Sequence, residues 1–153
     1  MNNKNTQIRN HKINQNPKTD GEKLAGLEKF IHKIMPYWSV IVEPFILFTK
    51  GEDEFVSWET FLTQSMVEKY LIHPPDLLLI DNGKMIILEL DGKIHDIKTE
   101  KTDKRNKRCE LNNIPYIVVN EADLRVKLDI PKTRPLTQDQ INNAFHAQLI
   151  KLL

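Results

Sequence analysis

Three acids stand in the most apolar part of the chain. The stretch from Pro74 to Asp96, PPDLLLIDNGKMIILELDGKIHD, reads as two strands around a turn, interrupted by Asp76, Glu89 and Asp91. Asn-Gly between apolar runs is the strongest short hairpin signal, because both central residues of that turn take positive φ. A two-residue loop at Asn82-Gly83 then sets a register, with Asp81 opposite Lys84, Leu79 opposite Ile86, Leu77 opposite Leu88 and Asp76 opposite Glu89. Opposed side chains share a sheet face, with Cβ atoms roughly 4.5–5.5 Å apart. Asp91 lies two residues beyond Glu89 and falls on the same face. Leu77, Leu79, Ile86, Leu88 and Leu90 take the other face.

Like charges opposed across strands destabilise a sheet. Burying an unpaired carboxylate is costly unless the group is neutralised. A bound divalent cation removes that penalty, and oxygen ligands on short carboxylates suit Mg²⁺ or Mn²⁺. The plainer alternative puts the acids at a solvated strand end or pairs them with Lys and Arg. His95 follows Asp91 by four positions, with Gly92 between them to turn the chain off the strand. A neutral imidazole there is a candidate general base. Asp103 is placed to orient that imidazole through its other ring nitrogen. Lys98, Lys101, Lys104, Arg105, Lys107 and Arg108 cluster just beyond, either as phosphate contacts or as a solvated charged face.

These residues need a scaffold. Residues 1–18 are rich in Asn, Gln and Lys and read as a disordered basic arm, leaving a single domain over residues 19–153. A helix is expected from Asp20 to Met35, with Thr19 and Glu22 at capping-box spacing and Pro36 as its stop. Ser39 to Phe48 reads as a strand with a bulge or an edge position at Pro44. Ser57 to Leu71 reads as a helix, whose Trp58 and Tyr70 serve the core or stack on bases. Thr99 to Asn113 reads as a basic helix, Tyr116 to Asn120 as a buried strand, and the region of Pro131 and Pro135 as a loop. Thr137 and Gln140 open a last helix packed by Ile141, Ala144, Phe145, Leu149 and Leu152. The class is α/β: a small mixed sheet with an antiparallel hairpin, flanked by helices.

Composition sets outer bounds. Of 153 residues 40% are hydrophobic and 28% charged, which is an ordinary core-forming mix. No run approaches the roughly 20 apolar residues of a bilayer span, so no membrane partner is expected. The first 20 residues have no apolar core, so a secretory signal is not expected either. Cys109 is the only cysteine, which excludes an internal disulfide and suits a reducing, cytoplasmic setting. The net charge of +1 does not itself argue for nucleic acid. A basic segment beside an acidic pocket does, because together they hold a polyanion and a metal.

The series Pro75-Asp76, a hairpin, Glu89-Leu90-Asp91-Gly92, His95, Asp103 and then Ile114-Pro115-Tyr116-Ile117-Val118-Val119 resembles the PD-(D/E)XK nuclease superfamily. It looks most like the branch of very-short-patch-repair endonucleases and related phage homing endonucleases, whose strand motif reads E-x-D-G-x-x-H. The resemblance covers mainly residues 74–120. It implies a restriction-endonuclease-like core and a Mg²⁺- or Mn²⁺-dependent nuclease. Asp76 and Glu89 match metal ligands, and Asp91 stands where better-known members carry lysine but can itself bind metal. His95 matches the catalytic histidine, Asp103 the last acid, and Glu22 or Glu28 a helix acid. DNA is the implied substrate, with RNA as the other candidate and a homodimer as one route to double-strand cutting. The alternative is a nucleic-acid-binding module that keeps the fold without catalysis.

Overall fold

The computed structural model of the chain describes residues 12–43, 46–47, 71–72, 75–92 and 114–153. Its centre is the hairpin of β4 (Leu77–Asp81) and β5 (Lys84–Asp91). Asn82 has φ 48° and Gly83 φ 79°, so both turn residues take the left-handed conformation that this hairpin type requires. The pairing is Asp81 with Lys84, Ile80 with Met85, Leu79 with Ile86, Leu78 with Ile87 and Leu77 with Leu88. This is the register expected from the turn as far as Leu77 and Leu88, whereas Asp76 precedes the strand and its expected pairing with Glu89 lies beyond the ladder.

β1 (Ser39–Val42) runs antiparallel to β4, and β6 (Tyr116–Asn120) runs parallel to β5. The result is a four-stranded mixed sheet in the order β1-β4-β5-β6. β2 (Ile46–Leu47) and β3 (Leu71–Ile72) pair in a separate two-stranded sheet. The three described helices are α1 (Asp20–Ile34), α2 (Glu121–Leu128) and α3 (Gln138–Leu152). None is long and apolar enough to cross a membrane.

Strand alternation divides the apolar residues into two clusters. Leu77, Leu79, Ile86, Leu88, Ile117 and Val119 face Leu27 and Ile31 of α1, Leu124 of α2, and Ile141, Phe145 and Leu149 of α3. All three described helices therefore serve one face of the sheet. The opposite face is built around buried Leu78 and Ile87, with Ile41, Ile80, Met85 and Tyr116 beside them.

Capping residues start each helix. Thr19 Oγ1 accepts from the Glu22 amide at 3.1 Å. Thr137 and Gln140 form a complete, reciprocal capping box at the head of α3. Where α1 and α3 cross, Gly26 leaves room for the fully buried Gln138 side chain, whose Nε2 donates to the Lys23 carbonyl at 3.0 Å and to Asn142 Oδ1 at 2.9 Å.

Several expectations need adjustment. The strand expected over Ser39 to Phe48 is interrupted: Glu43 takes φ 48°, β1 ends, and β2 joins the other sheet. Leu71, the expected end of a helix, is a strand residue. The rest of that stretch, Ser57 to Tyr70 with Trp58, lies outside the described residues, as does the basic stretch Thr99 to Asn113. The loop expected after Asn120 instead begins with α2. Within β6 only Ile117 and Val119 are buried, whereas Val118 is 39% exposed, so the strand is buried on one face rather than two. Leu152 is also exposed rather than packed. Residues 12–18 belong to the expected arm, yet Gln15 pairs closely with the head of α3. Its carbonyl accepts from the Gln138 amide, its Nε2 donates to Asp139 Oδ1, and its Oε1 accepts from the Asp139 amide.

Candidate acid site at the open end of the hairpin

The three acids gather where the hairpin opens. Asp76 immediately precedes β4, and its carbonyl accepts from the Glu43 amide at 2.9 Å. Its carboxylate reaches across to β5, where Oδ2 accepts from the Leu90 amide at 2.7 Å. Leu90 lies between Glu89 and Asp91, so this bond ties Asp76 to the strand segment that carries the other two acids.

The faces agree for two of the acids. Leu78 and Ile87 are register partners on the face away from the described helices. Glu89 and Asp91 lie two and four residues beyond Ile87 on β5 and share its face, whereas Asp76 lies in the bend just before β4. All three acids are half-buried. On the neighbouring strand Glu89 is the register partner of Val118 and Asp91 of Asn120. Asn120 Nδ2 donates to Asp91 Oδ2 at 3.0 Å.

These carboxylates offer hard oxygen donors, the chemistry that Mg²⁺ and Mn²⁺ take. Among the described residues no group of three or more His, Cys, Asp or Glu side chains encloses a metal position. His95, Asp103 and the basic residues Lys98, Lys101, Lys104, Arg105, Lys107 and Arg108 lie outside the described residues.

The helix acids divide differently from expectation. Glu22 is exposed, and its Oε2 accepts at 2.9 Å from the amide of Lys18, one residue before the Thr19 cap, rather than from the Thr19 amide that the expected capping box calls for. Glu28 lies 3.6 Å from His32 on the same helix. The α1 acid nearest the end of β5 is Asp20: its Oδ1 would lie 3.4 Å from a Cβ placed on Gly92. The same Cβ would meet Glu121 Oε2 at 2.8 Å. A side chain at position 92 would therefore displace the Glu121 carboxylate.

Glu121, the first residue of α2, is buried and pairs with Lys23 Nζ at 2.8 Å, and Asp20 lies 3.8 Å from the same ammonium. Asp20, Lys23, Asn120 and Glu121 were not among the expected site residues. One local signal exists: Asn120 followed by Glu121 and Asp123 is the pattern of a capped helix start, with acids in the first turn. Comparison with known proteins adds no relative, since no family model, curated protein or solved structure matches the chain.

Proposed function

We propose that the chain is a metal-dependent nuclease of the PD-(D/E)XK type, with a restriction-endonuclease-like core, that hydrolyses DNA phosphodiester bonds. The observation that carries this reading is the Asp76–Leu90 bond, which holds one carboxylate beside the segment bearing Glu89 and Asp91. Half-buried acids brought close together repel one another, and a divalent cation between them would offset that repulsion. Asp76 together with Glu89, Asp91 or both would hold it as Mg²⁺ or Mn²⁺.

The bound cation supplies an activated water at neutral pH and stabilises charge on the phosphoryl oxygens. In this reading His95 takes the proton of the attacking water, and Asp103 keeps the imidazole oriented. Lys98, Lys101, Lys104, Arg105, Lys107 and Arg108 hold the phosphate backbone, fixing position rather than sequence.

The test is cleavage of supercoiled, linear and single-stranded DNA and of RNA, with Mg²⁺, Mn²⁺ or EDTA. DNA cutting is expected with either metal and is abolished by EDTA. Asp76→Asn, which keeps an oxygen for the Leu90 amide but removes the charge, should lose cutting while keeping the wild-type circular dichroism spectrum. Folded wild-type protein that cuts nothing refutes the enzymatic reading. Salt-sensitive DNA binding in that case identifies a binding module instead.

A further inference from the structure

Asn120 closes β6 and caps α2, and both ends of its side-chain amide are engaged. Nδ2 donates to Asp91 Oδ2 at 3.0 Å, and Oδ1 accepts from the Asp123 amide at 2.9 Å. Turning the amide over would set oxygen against a carboxylate and NH₂ against an N–H, so each bond enforces the other. The backbone adds to this, because Asn120 and Asp91 are register partners in the β5–β6 ladder. The next residue is anchored on the other side: Glu121, with its side chain 8% exposed, pairs with Lys23 of α1 at 2.8 Å. The start of α2 is thus tied to α1 and to Asp91 through two consecutive residues.

We infer that Asn120 is a positioning residue of the acid site, holding the Asp91 carboxylate in one orientation towards the divalent cation. Its role rests on the metal-dependent reading above. Ser and Thr cap helices nearly as well as Asn. Neither has an NH₂ that can reach a carboxylate while its oxygen caps. Asn is the residue that serves both partners, and a cap alone does not call for it.

Asn120→Ser and Asn120→Thr separate the two tasks, and Asn120→Ala removes both. The readouts on the full chain are the Mn²⁺ concentration that half-broadens the Leu90 amide NMR signal, the Mn²⁺ dependence of DNA cutting, KM for DNA, and the melting temperature in EDTA. Wild type is expected to show Mn²⁺-induced broadening that Asp76→Asn weakens. The Ser and Thr variants should melt close to wild type yet need about 10–100-fold more Mn²⁺ in both metal titrations, with KM for DNA unchanged. Ser and Thr variants matching wild type in both titrations would overturn the positioning role and leave the nuclease reading intact. Melting losses in the Ala variant without any change in Mn²⁺ requirement would also reduce Asn120 to a cap. A wild type that neither broadens nor cuts would refute the metal-dependent reading, and the positioning role with it.

Discussion

Gly26→Ala should destabilise the protein, although helix propensity predicts the reverse. In a helix interior, alanine is favoured over glycine by about 0.8–1.0 kcal/mol. At Gly26, however, an added Cβ would stand 2.4 Å from Gln138 Cδ, 2.6 Å from Oε1 and 2.7 Å from Cγ. Gln138 has no exposure to give way into, and its Nε2 holds the Lys23 carbonyl and Asn142 Oδ1. Among the described residues, Gln138 Oε1 and Asn142 Nδ2 are already buried without partners. α1 is pushed away from α3, and the displaced amide gives up its bonds. Overpacking costs about 1–3 kcal/mol. A buried polar group left unpaired costs about 1–3 kcal/mol more. After the propensity gain, the net loss is about 1–5 kcal/mol. Urea unfolding followed by circular dichroism measures it. Gly21→Ala is the control, since the nearest atom to its added Cβ is Thr19 Oγ1 at 3.9 Å. It should be neutral or stabilising by up to about 1 kcal/mol. Adding Gln138→Ala to Gly26→Ala should cost less than the sum of the single changes. A Gly26→Ala protein as stable as wild type would refute this account of the α1–α3 crossing.

Two further perturbations probe the same frame. Lys23→Met strands the Glu121 carboxylate, whose side chain is 8% exposed. The loss should be about 3 kcal/mol, the low end for breaking a buried pair, because the Lys23 side chain keeps 18% exposure and Glu121 sits at a helix start. Adding Glu121→Gln should restore more than half of it in urea unfolding, and simple additivity would contradict the pairing. Gly83→Ala forces a side chain onto φ 79° and should cost about 1–2 kcal/mol. The denaturant slope should not change, and an unaltered midpoint would mean that this turn does not constrain the hairpin.

Local chemistry explains which parts of the fold are legible in the sequence. Asn82-Gly83 specifies its own dihedrals, so the hairpin register and the shared face of Glu89 and Asp91 follow from a few neighbouring residues. Thr19 and Thr137 mark helix starts for the same reason. α2 is harder to see, because it is eight residues long and Leu124 is its only buried apolar residue. It is held by Glu121 against Lys23, a partner on a distant helix. The contact between Asn120 and Asp91 depends on parallel pairing, which no local pattern announces. The break at Glu43 is only half visible: Pro44 signals a bulge or an edge there, but a non-glycine residue with positive φ has no dependable sequence mark. Gly92 shows a third limit. A glycine after a strand reads as a turn, whereas here a carboxylate from α2 occupies the space of its missing Cβ.

The α1–α3 crossing also orders events in time. The Gln138–Lys23 bond spans 115 residues of chain. At a synthesis rate of about 5–20 residues per second, that separation corresponds to about 6–23 s. For nearly all of that interval Leu27 and Ile31 have been made, while Ile141, Phe145 and Leu149 have not. The nascent chain therefore carries an apolar helix stripe, and behind it the apolar hairpin, with no α3 to cover them. The finished core closes only when α3 emerges to supply Ile141, Phe145 and Leu149.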